Sequence, residues 1–393
     1  MHHKKQHKKN NPWIPAMVTI LLFVLIGLEG YLLFTPHDTA PATKKETLET
    51  TQSAIDRTQD AQIASNFNQE VQPTSDLAQQ INQQLEDNSF IGTALVVHDG
   101  QIILQKGFGY ANFAKKQVNT PQSLFQIGSI QKALTASLIL QQVQAGKLSL
   151  DETLDRFYPT IQESEKITIR QLLSMNSGLY QKEKPSLMMS DEAFLQFGIA
   201  NAAMGTYGQF KYDAINYYIL VGILEQLTGV SYQKSFNQTY IQKLQLFHTL
   251  SYNDFLHSKD RTVAYENVSG KDYGTEIADK PLVFKQEIGT GSIAMTTGDL
   301  YLFFSNFLSG NIIDKETVDS FWTSETLSKF AGGMYNYKNY IRAHGIEEGF
   351  EPNVYFSKDK QDAVILLTNQ YPKNHSNTLL GKTIFDLLGS YEN

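Results

Sequence analysis

Apolar and polar residues follow two different spacings along this chain, and the spacing changes from one region to the next. Leu77, Ile81 and Leu85 are spaced as on one face of a helix. Two runs rich in β-branched residues follow, and Asp99-Gly100 separates them. Asp-Gly between such runs is a strong signal for a β-hairpin. A helix followed by a hairpin is therefore predicted here.

The middle of the chain has helical spacing with recognisable start and stop residues. Thr168 and Gln171 have the spacing of a capping box, in which each side chain bonds the other's backbone amide. Residues 212–227 form an apolar-periodic stretch that ends at Gly229, and glycine is the commonest residue just past a helix end. Thr296 precedes one more such stretch. This region is predicted to be helical.

Beyond Gly332 the pattern becomes that of strands, at 337–344, 351–356 and 363–368, before a terminal helix at 376–388. Strands at both ends with helices between them predict an α+β fold. Its antiparallel sheet would be built from both termini of the domain and flanked by helices, with an inserted helical subdomain. A functional site is expected between the sheet and the insert.

The first 75 residues lack the pattern of a folded domain. Residues 13–34 form an apolar run long enough to cross a bilayer as one helix. Residues 1–12 are basic and contain no acid, so the positive-inside rule keeps them in the cytoplasm. Residues 35–75 have the polar composition of a flexible tether. The prediction is a single-pass cell-membrane protein, with a signal anchor at 13–34 and an extracellular domain at 76–393.

A cleavable signal peptide is the alternative to an anchor. Ala40-Pro41-Ala42 resembles a small-residue cleavage site. The anchor is favoured because the apolar run is longer than the core of most signal peptides, and the candidate site lies well beyond its end.

Composition excludes several classes of function. The net charge of −7 argues against a nucleic-acid partner. No histidine spacing typical of a metal site and no glycine-rich phosphate loop is present, so neither a metal nor a cofactor is expected. The absence of cysteine means that the exported domain would be held by its core alone.

The candidate nucleophile is Ser129, which precedes Lys132 by one helical turn. Residues three apart lie on the same face of a helix, so the amine can reach the hydroxyl and accept its proton. Gly128 before the serine allows a substrate to approach closely. The alternative role of Ser129 is that of an ordinary helix N-cap.

The Ser-x-x-Lys pattern occurs at two other places, where its surroundings indicate ordinary structure. Ser231 and Lys234 follow a glycine at an apparent helix restart, and Ser357 and Lys360 lie in a polar segment typical of a hairpin tip. Flanking residues therefore single out Ser129.

Five segments, in this order, resemble the class C β-lactamases and penicillin-binding-protein-like serine hydrolases. They are 127–132, 167–179, 212–232, 289–300 and 344–345. The resemblance extends from about residue 76 to the C-terminus and implies a β-lactamase/transpeptidase-like fold. The active-site motifs of that family are Ser-x-x-Lys, Tyr-x-Asn and a strand with Lys- or His-x-Gly.

The resemblance implies a role for each matching residue. Ser129 would be the nucleophile and Lys132 the amine that moves its proton. Tyr212 would act with Lys132 as general base and later as acid. His344 would be the first residue of the third motif, followed by Gly345.

Two of the motifs depart from the family pattern. Ala214 stands where the family has an asparagine that holds a peptide-like carbonyl, which weakens the case for peptide or β-lactam substrates. Asp213 could replace that amide, or could cap the following helix. The segment after Gly345 is short, so only one oxyanion-hole amide, that of Ser129, is clear. The second is expected near Glu347.

Within this family, the membrane anchor, the tether and the altered tyrosine motif are similar to the teichoic-acid D-alanine esterases of Gram-positive bacteria. The expected activity is release of D-alanine from D-alanyl esters of lipoteichoic acid through an acyl-enzyme. A D-alanyl-D-alanine carboxypeptidase acting on wall peptides is the first alternative. A wall-binding protein without catalysis is the second.

Overall fold

The computed structural model describes residues 67–268, 272–326, 329–371 and 376–389. The predicted basic tail and signal anchor, and the tether up to residue 66, lie outside these ranges. Within them, no helix has the length and apolar character needed to cross a membrane.

Most strands come from the two ends of the described region, as the spacing of apolar residues predicted. The strands are β1 (Gly92–His98), β2 (Gln101–Phe108), β3 (Tyr110–Asn112), β4 (Gln117–Val118), β5 (Phe125–Gln126), β6 (Leu179–Gln181), β7 (Ala202–Met204), β8 (Thr249–Ser251), β9 (Ile293–Met295), β10 (Lys329–Ala331), β11 (Met334–Asn336), β12 (Tyr340–His344), β13 (Glu351–Ser357) and β14 (Ala363–Thr368).

Seven of these strands form one antiparallel sheet in the order β10-β11-β12-β13-β14-β1-β2. Strands from the two ends of the described region meet where β1 pairs with β14. The predicted hairpin joins β1 to β2, and both of its turn residues, Asp99 and Gly100, have positive φ, as a tight two-residue turn requires. The prediction of a sheet built from both termini is confirmed.

One predicted strand was wrong in its extent. Residues 337–344 were expected to form a single strand, but only Tyr340–His344 does, and the preceding residues turn back to β11. Tyr337 donates its amide to the carbonyl of Tyr340 across this turn, and the two rings stack with centroids 4.4 Å apart. Aromatic residues favour strands, so their run concealed the turn.

Helices fill the middle of the chain and cover both faces of the sheet. They are α1 (Asp76–Asp87), α2 (Gln131–Gln144), α3 (Ile169–Leu173), α4 (Asp191–Ala200), α5 (Ile215–Thr228), α6 (Tyr232–Phe236), α7 (Tyr252–His257), α8 (Pro281–Phe284), α9 (Thr297–Leu308), α10 (Lys315–Phe321) and α11 (Asn377–Leu388). Short 3₁₀ turns lie at Gly128–Ile130, Leu154–Arg156 and Ser324–Thr326, and a π-helical turn at Asn237–Lys243.

The helix starts follow the capping residues predicted from the sequence. Thr168 and Gln171 form a complete capping box at α3, and the Thr296 side chain accepts the Asp299 amide at α9. Gly229 ends α5 in the left-handed conformation, with φ of 69°. The left-handed region carries no steric penalty for glycine, which is why it terminates the helix.

Two hydrophobic cores lie on opposite faces of the large sheet. On one face α1 and α11 pack through Ile81, Ile384 and Phe385. On the other face the larger core joins the sheet to α2, α5 and α9, and it includes Ile341 and Ala343 of β12. Because side chains alternate along a strand, Tyr340, Arg342 and His344 lie toward α11, and Ile341 and Ala343 toward the helical region.

Candidate active site

Ser129 and Lys132 are brought together at the start of α2, as the sequence predicted. Ser129 lies in the 3₁₀ turn that leads into the helix, and Lys132 Nζ is 3.0 Å from its Oγ. Lys132 is almost fully buried, with 3% of its surface exposed. Its amine has a second partner, the carbonyl oxygen of Thr290 at 3.2 Å. These contacts hold the amine against the hydroxyl, the geometry that a proton acceptor for serine needs.

Gly128 is required by both conformation and space. Its φ is +48°, in the left-handed region that side chains rarely adopt. A Cβ at this position would lie 3.2 Å from the carbonyl oxygen of Ile346. The glycine thus lets the nucleophile turn pack directly against the chain that follows β12.

The other two Ser-x-x-Lys pairs have structural roles, as their surroundings indicated. Ser231 is the N-cap of α6 and accepts the amide of Lys234. Ser357 ends β13 and bonds Asp359 and the amide of Asp362 in the following turn. In neither pair does the structure show a bond between the lysine amine and the serine hydroxyl.

Tyr212 lies beside the lysine. Its ring centroid is 5.4 Å from Lys132 Nζ, and its edge packs against Phe330 of β10 with centroids 5.4 Å apart. The side chain is 47% exposed, so one side of the ring is open to a substrate. The structure thus groups the three residues Ser129, Lys132 and Tyr212.

Asp213 and Ala214 fix the loop that carries Tyr212. The Asp213 carboxylate accepts the amide of Ile215 at 3.1 Å and that of Gln181 at 3.3 Å, so its two oxygens are used in holding backbone. Ala214 is the N-cap residue of α5 and offers no side-chain hydrogen bond. The structure favours the capping role of Asp213 over the predicted substrate-binding role. Buried Asn216 completes the anchor by bonding Ser177 and the Asp213 carbonyl.

His344 lies on a different face from the one that the resemblance implied. Its Nε2 is 3.0 Å from the carboxylate of the fully buried Glu351, which also accepts bonds from Ser376 and the Asn377 amide. These partners belong to the α11 side of the sheet. The strand alternation places the imidazole away from Ser129, and the geometry supports a structural role for it.

Gly345 is the residue of the third motif that does face the nucleophile. A Cβ on Gly345 would collide with the carbonyl oxygen of Ile127 and lie 3.1 Å from the Ser129 amide nitrogen. The absence of a side chain lets β12 approach the nucleophile turn. Gly345 therefore shapes the site through its backbone.

The backbone amides around Ser129 differ in availability. The Glu347 amide, expected in the oxyanion hole, donates instead to the Phe350 carbonyl at 3.0 Å across a tight turn. Among the described residues, neither the Ser129 nor the Ile346 amide donates to a backbone carbonyl. Because Ile346 packs on Gly128, these two amides are the better placed pair for a developing oxyanion.

A pair of carboxyl groups that was not predicted lies next to the lysine. The carboxyls of Glu287 and Glu347 lie close enough for each to influence the other. Burial, then the charge of Glu287, raises the pKa of Glu347 to about 10, and the positive charge of Lys132 opposes this shift. A Cβ on Gly291 would collide with a Glu287 carboxyl oxygen and lie 3.1 Å from Glu347 Oε1, so both carboxyls converge over this glycine.

Thr290 and Gln131 are the other site residues that were not predicted. Thr290 acts through its carbonyl, which no side-chain pattern reveals. Buried Gln131 accepts the Ser292 amide at 2.6 Å and so ties the 289–292 segment to the nucleophile helix. The only sequence signals were the matches to the family at 127–132, which contains Gln131, and at Gly289-Thr290-Gly291-Ser292. In the described ranges, no group of three or more metal-ligating side chains could hold an ion.

Comparisons with known proteins give a consistent result. The family model described as Beta-lactamase matches residues 77–388. A putative penicillin-binding protein PbpX of Bacillus subtilis is 27% identical over 75% of this chain and 75% of its own length. The teichoic acid D-alanine hydrolase of Staphylococcus aureus is 26% identical over 82% of this chain and 85% of its own length.

Among solved structures, FmtA from Staphylococcus aureus superposes with a TM-score of 0.72 at 23% identity, over 81% of this chain and 91% of that chain. This similarity shows the same fold, with an antiparallel sheet and helices arranged as in penicillin-binding-protein-like structures. The fold class expected from the resemblance is confirmed.

Proposed function

Because the chain belongs to the β-lactamase family and is a serine hydrolase of the penicillin-binding-protein type, we propose that it releases D-alanine from D-alanyl esters of teichoic acid. The observation that carries this proposal is an intact nucleophile group beside an altered recognition motif. Ser129, Lys132 and Tyr212 are assembled, and Ala214 stands where the family has the asparagine that holds a peptide-like carbonyl.

Acylation follows from the positions of these side chains. Lys132, in its neutral form, accepts the Ser129 proton as Oγ bonds to the carbonyl carbon of the ester. The Ser129 and Ile346 amides would donate to the resulting oxyanion, because Ile346 packs against the nucleophile turn. Tyr212 and Lys132 then return a proton to the polyol oxygen as the carbon–oxygen bond to the polymer breaks. D-alanine remains esterified to Ser129.

Deacylation reverses the proton path. Water enters from the exposed side of Tyr212, loses a proton to the Tyr212–Lys132 pair and bonds to the acyl carbon. The bond to Ser129 Oγ breaks, Oγ regains a proton, and free D-alanine leaves. An ester is an easier acyl donor than an amide because its leaving oxygen requires less protonation, so the missing asparagine matters less for this substrate.

The proposed location is the outer face of the cell membrane, with residues 13–34 as the anchor. The basic residues 1–12 before this run and the polar segment after it support the proposal. The partners would be the membrane, through this anchor, and D-alanylated lipoteichoic acid. The 26% identical relative is called a teichoic acid D-alanine hydrolase, which is consistent with this substrate.

A D-alanyl-D-alanine carboxypeptidase is the second candidate, because the nucleophile group is common to both reactions. The PbpX relative carries the name of a putative penicillin-binding protein. A binding protein without catalysis is not supported, since the amine and hydroxyl of the nucleophile pair lie 3.0 Å apart.

The decisive experiment measures the hydrolysis of two substrates by the full-length protein in separate reactions. D-alanylated lipoteichoic acid and pentapeptide wall fragments are incubated with it, and free D-alanine is quantified over time. The proposal expects release from the lipoteichoic acid at a rate at least about tenfold above that from the peptide, a ratio that corresponds to roughly 1.4 kcal/mol. Release from the peptide alone would overturn it in favour of the carboxypeptidase.

A further inference from the structure

Glu287 and Glu347 are the charged groups nearest to the nucleophile that the reaction outlined above does not use. They come from two different segments, one just before the Gly289–Ser292 stretch and the other just after β12. Both carboxyls converge over Gly291, the neighbour of the Thr290 carbonyl that receives the Lys132 amine. The fold therefore builds an acidic wall into the catalytic site itself.

This wall carries a net negative charge in the folded protein. Two carboxyls this close together cannot both be ionised at low cost, so Glu347 keeps its proton, as its raised pKa reflects. The pair then holds about one negative charge. Tyr218 lies near Glu287 and Thr290, and burial raises the pKa of Tyr218, so this side chain adds no charge to the wall.

The position of the pair relative to the reacting carbon follows from the chain. Glu347 is the next residue after Ile346, whose amide lies against the nucleophile turn. When Ser129 attacks an acyl group whose carbonyl oxygen is bound by these amides, the α-carbon of that group is bonded directly to the reacting carbonyl carbon. A substituent on that α-carbon lies within reach of a side chain adjacent to Ile346.

The substrates considered above differ in the charge of this substituent. The α-nitrogen of a D-alanyl ester is a free ammonium group, whereas in a wall peptide it is a neutral amide. Wall peptides instead present a negative terminal carboxylate, which an acidic wall repels. One negative charge in a partly dry site complements one ammonium group well.

We propose that Glu287 and Glu347 together bind the α-ammonium group of the D-alanyl ester and so select aminoacyl esters as substrates. This inference rests on the proposed function and names the part of the site that recognises the acyl group. It also explains why an acidic domain suits a polymer of phosphates, because the group to be recognised is the cation attached to that polymer.

The test compares two esters of the same alcohol with the full-length protein. One is a D-alanyl ester of glycerol, and the other is a propionyl ester, which lacks only the amine. For the unmodified protein, kcat/KM should favour the D-alanyl ester at least about tenfold. The double variant Glu287→Gln/Glu347→Gln removes the charge of the wall, so it should reduce this preference about tenfold or more by raising KM for the D-alanyl ester, and leave the propionyl ester within about threefold.

The matched control is Glu348→Gln. Glu348 is an exposed neighbour whose carboxylate pairs with Lys280 at 2.8 Å, so its loss should leave the ratio of the two esters unchanged. Equal losses on both esters in the double variant would overturn the inference and indicate a general role in catalysis or folding. An unmodified protein that hydrolyses both esters equally would overturn it as well, while leaving the esterase function standing. Hydrolysis of neither ester would contradict both the inference and the proposed esterase function.

A binding measurement covers the case in which the variants turn over too slowly. D-alaninol keeps the ammonium group and lacks the ester, and 1,2-propanediol replaces that group by a hydroxyl. D-alaninol should bind the unmodified protein with a Kd at least about tenfold lower than its Kd for Glu287→Gln/Glu347→Gln, and the diol should bind the two proteins equally. Equal Kd values of D-alaninol for the two proteins would contradict the inference.

Discussion

The two sides of the active site differ in how closely they keep the pattern of the family. The helix side, with Ser129, Lys132 and Tyr212, keeps the nucleophile pair and the tyrosine of the family motifs and has Ala214 in place of the asparagine. The strand side, from His344 to Gly349, turns its histidine toward Glu351 and brings Glu347 near the lysine.

The two sides have different roles in the proposed reaction. Proton transfer to and from Ser129 needs an amine at hydrogen-bond distance, which one turn of helix fixes within narrow limits. In the proposed reaction the strand side contacts the acyl group, and different substrates require different charges there. A change of charge on that side would then redirect the enzyme without disturbing its nucleophile.

The largest test of this division is Ser129→Ala. Removing the nucleophile should lower kcat/KM for D-alanyl ester hydrolysis by at least about 10³-fold, measured by D-alanine release. Ser231→Ala is the matched control, because it removes the serine of another Ser-x-x-Lys pair that only caps α6. The control should keep its activity and lose about 1 kcal/mol in the free energy of unfolding. Comparable activity losses in both variants would contradict the assignment of Ser129.

The next test removes the hydroxyl of Tyr212. Tyr212→Phe keeps the contact with Phe330 and takes away the group that exchanges protons with Lys132. We expect kcat to fall about 10²-fold with little change in KM, measured by steady-state kinetics. Tyr207→Phe serves as control, since its hydroxyl bonds the Lys166 carbonyl away from the site. If Tyr212→Phe retains full kcat, Lys132 alone carries out the proton transfer and the role given to Tyr212 is contradicted.

Glu347 on the strand side should make the stability of the protein depend on pH. The pKa of Glu347 is raised from 4.5 to about 10, so the folded protein keeps a proton that the unfolded chain releases above about pH 4.5. The contribution of this group to the free energy of unfolding therefore falls as pH rises from about 4.5 to about 10, by at most about 1.4 kcal/mol per pH unit.

Glu347→Gln removes this dependence, because an amide does not titrate. Urea unfolding at several pH values between about 6 and about 9 should show the variant gaining stability relative to the unmodified protein as pH rises. If the difference in free energy of unfolding between the variant and the unmodified protein stays constant over this pH range, Glu347 does not keep a proton in the folded protein.

The smallest effect on activity is expected from His344→Ala. Because the imidazole bonds Glu351 on the α11 side, kcat/KM should fall less than about tenfold, while the free energy of unfolding falls by about 1 to 3 kcal/mol as Glu351 loses a partner. Parallel kinetics and thermal melts measure both. An activity loss above about 10²-fold with unchanged melting would place the imidazole in the catalytic group and erase the contrast between the two sides.

Local signals were sufficient for most of the elements that frame the site. The capping box at Thr168, the turn at Asp99-Gly100 and the helix end at Gly229 depend on neighbouring residues only, and each was confirmed. The turn before β12 was hidden because aromatic residues favour a strand whether or not the chain reverses. The direction of His344 was missed because a motif gives the order of residues and not the face of the strand.

The sequence by itself determined the nucleophile, its lysine and the order of strands and helices, because these depend on spacing within one turn of helix or on local caps and turns. Only the tertiary structure decided which groups surround them. Glu287 and Glu347 are far apart along the chain, and burial beside Gly291 together with the charge of Glu287 raises the pKa of Glu347. Contacts between distant segments set the charge of the acyl-binding wall, and no local pattern encodes such contacts.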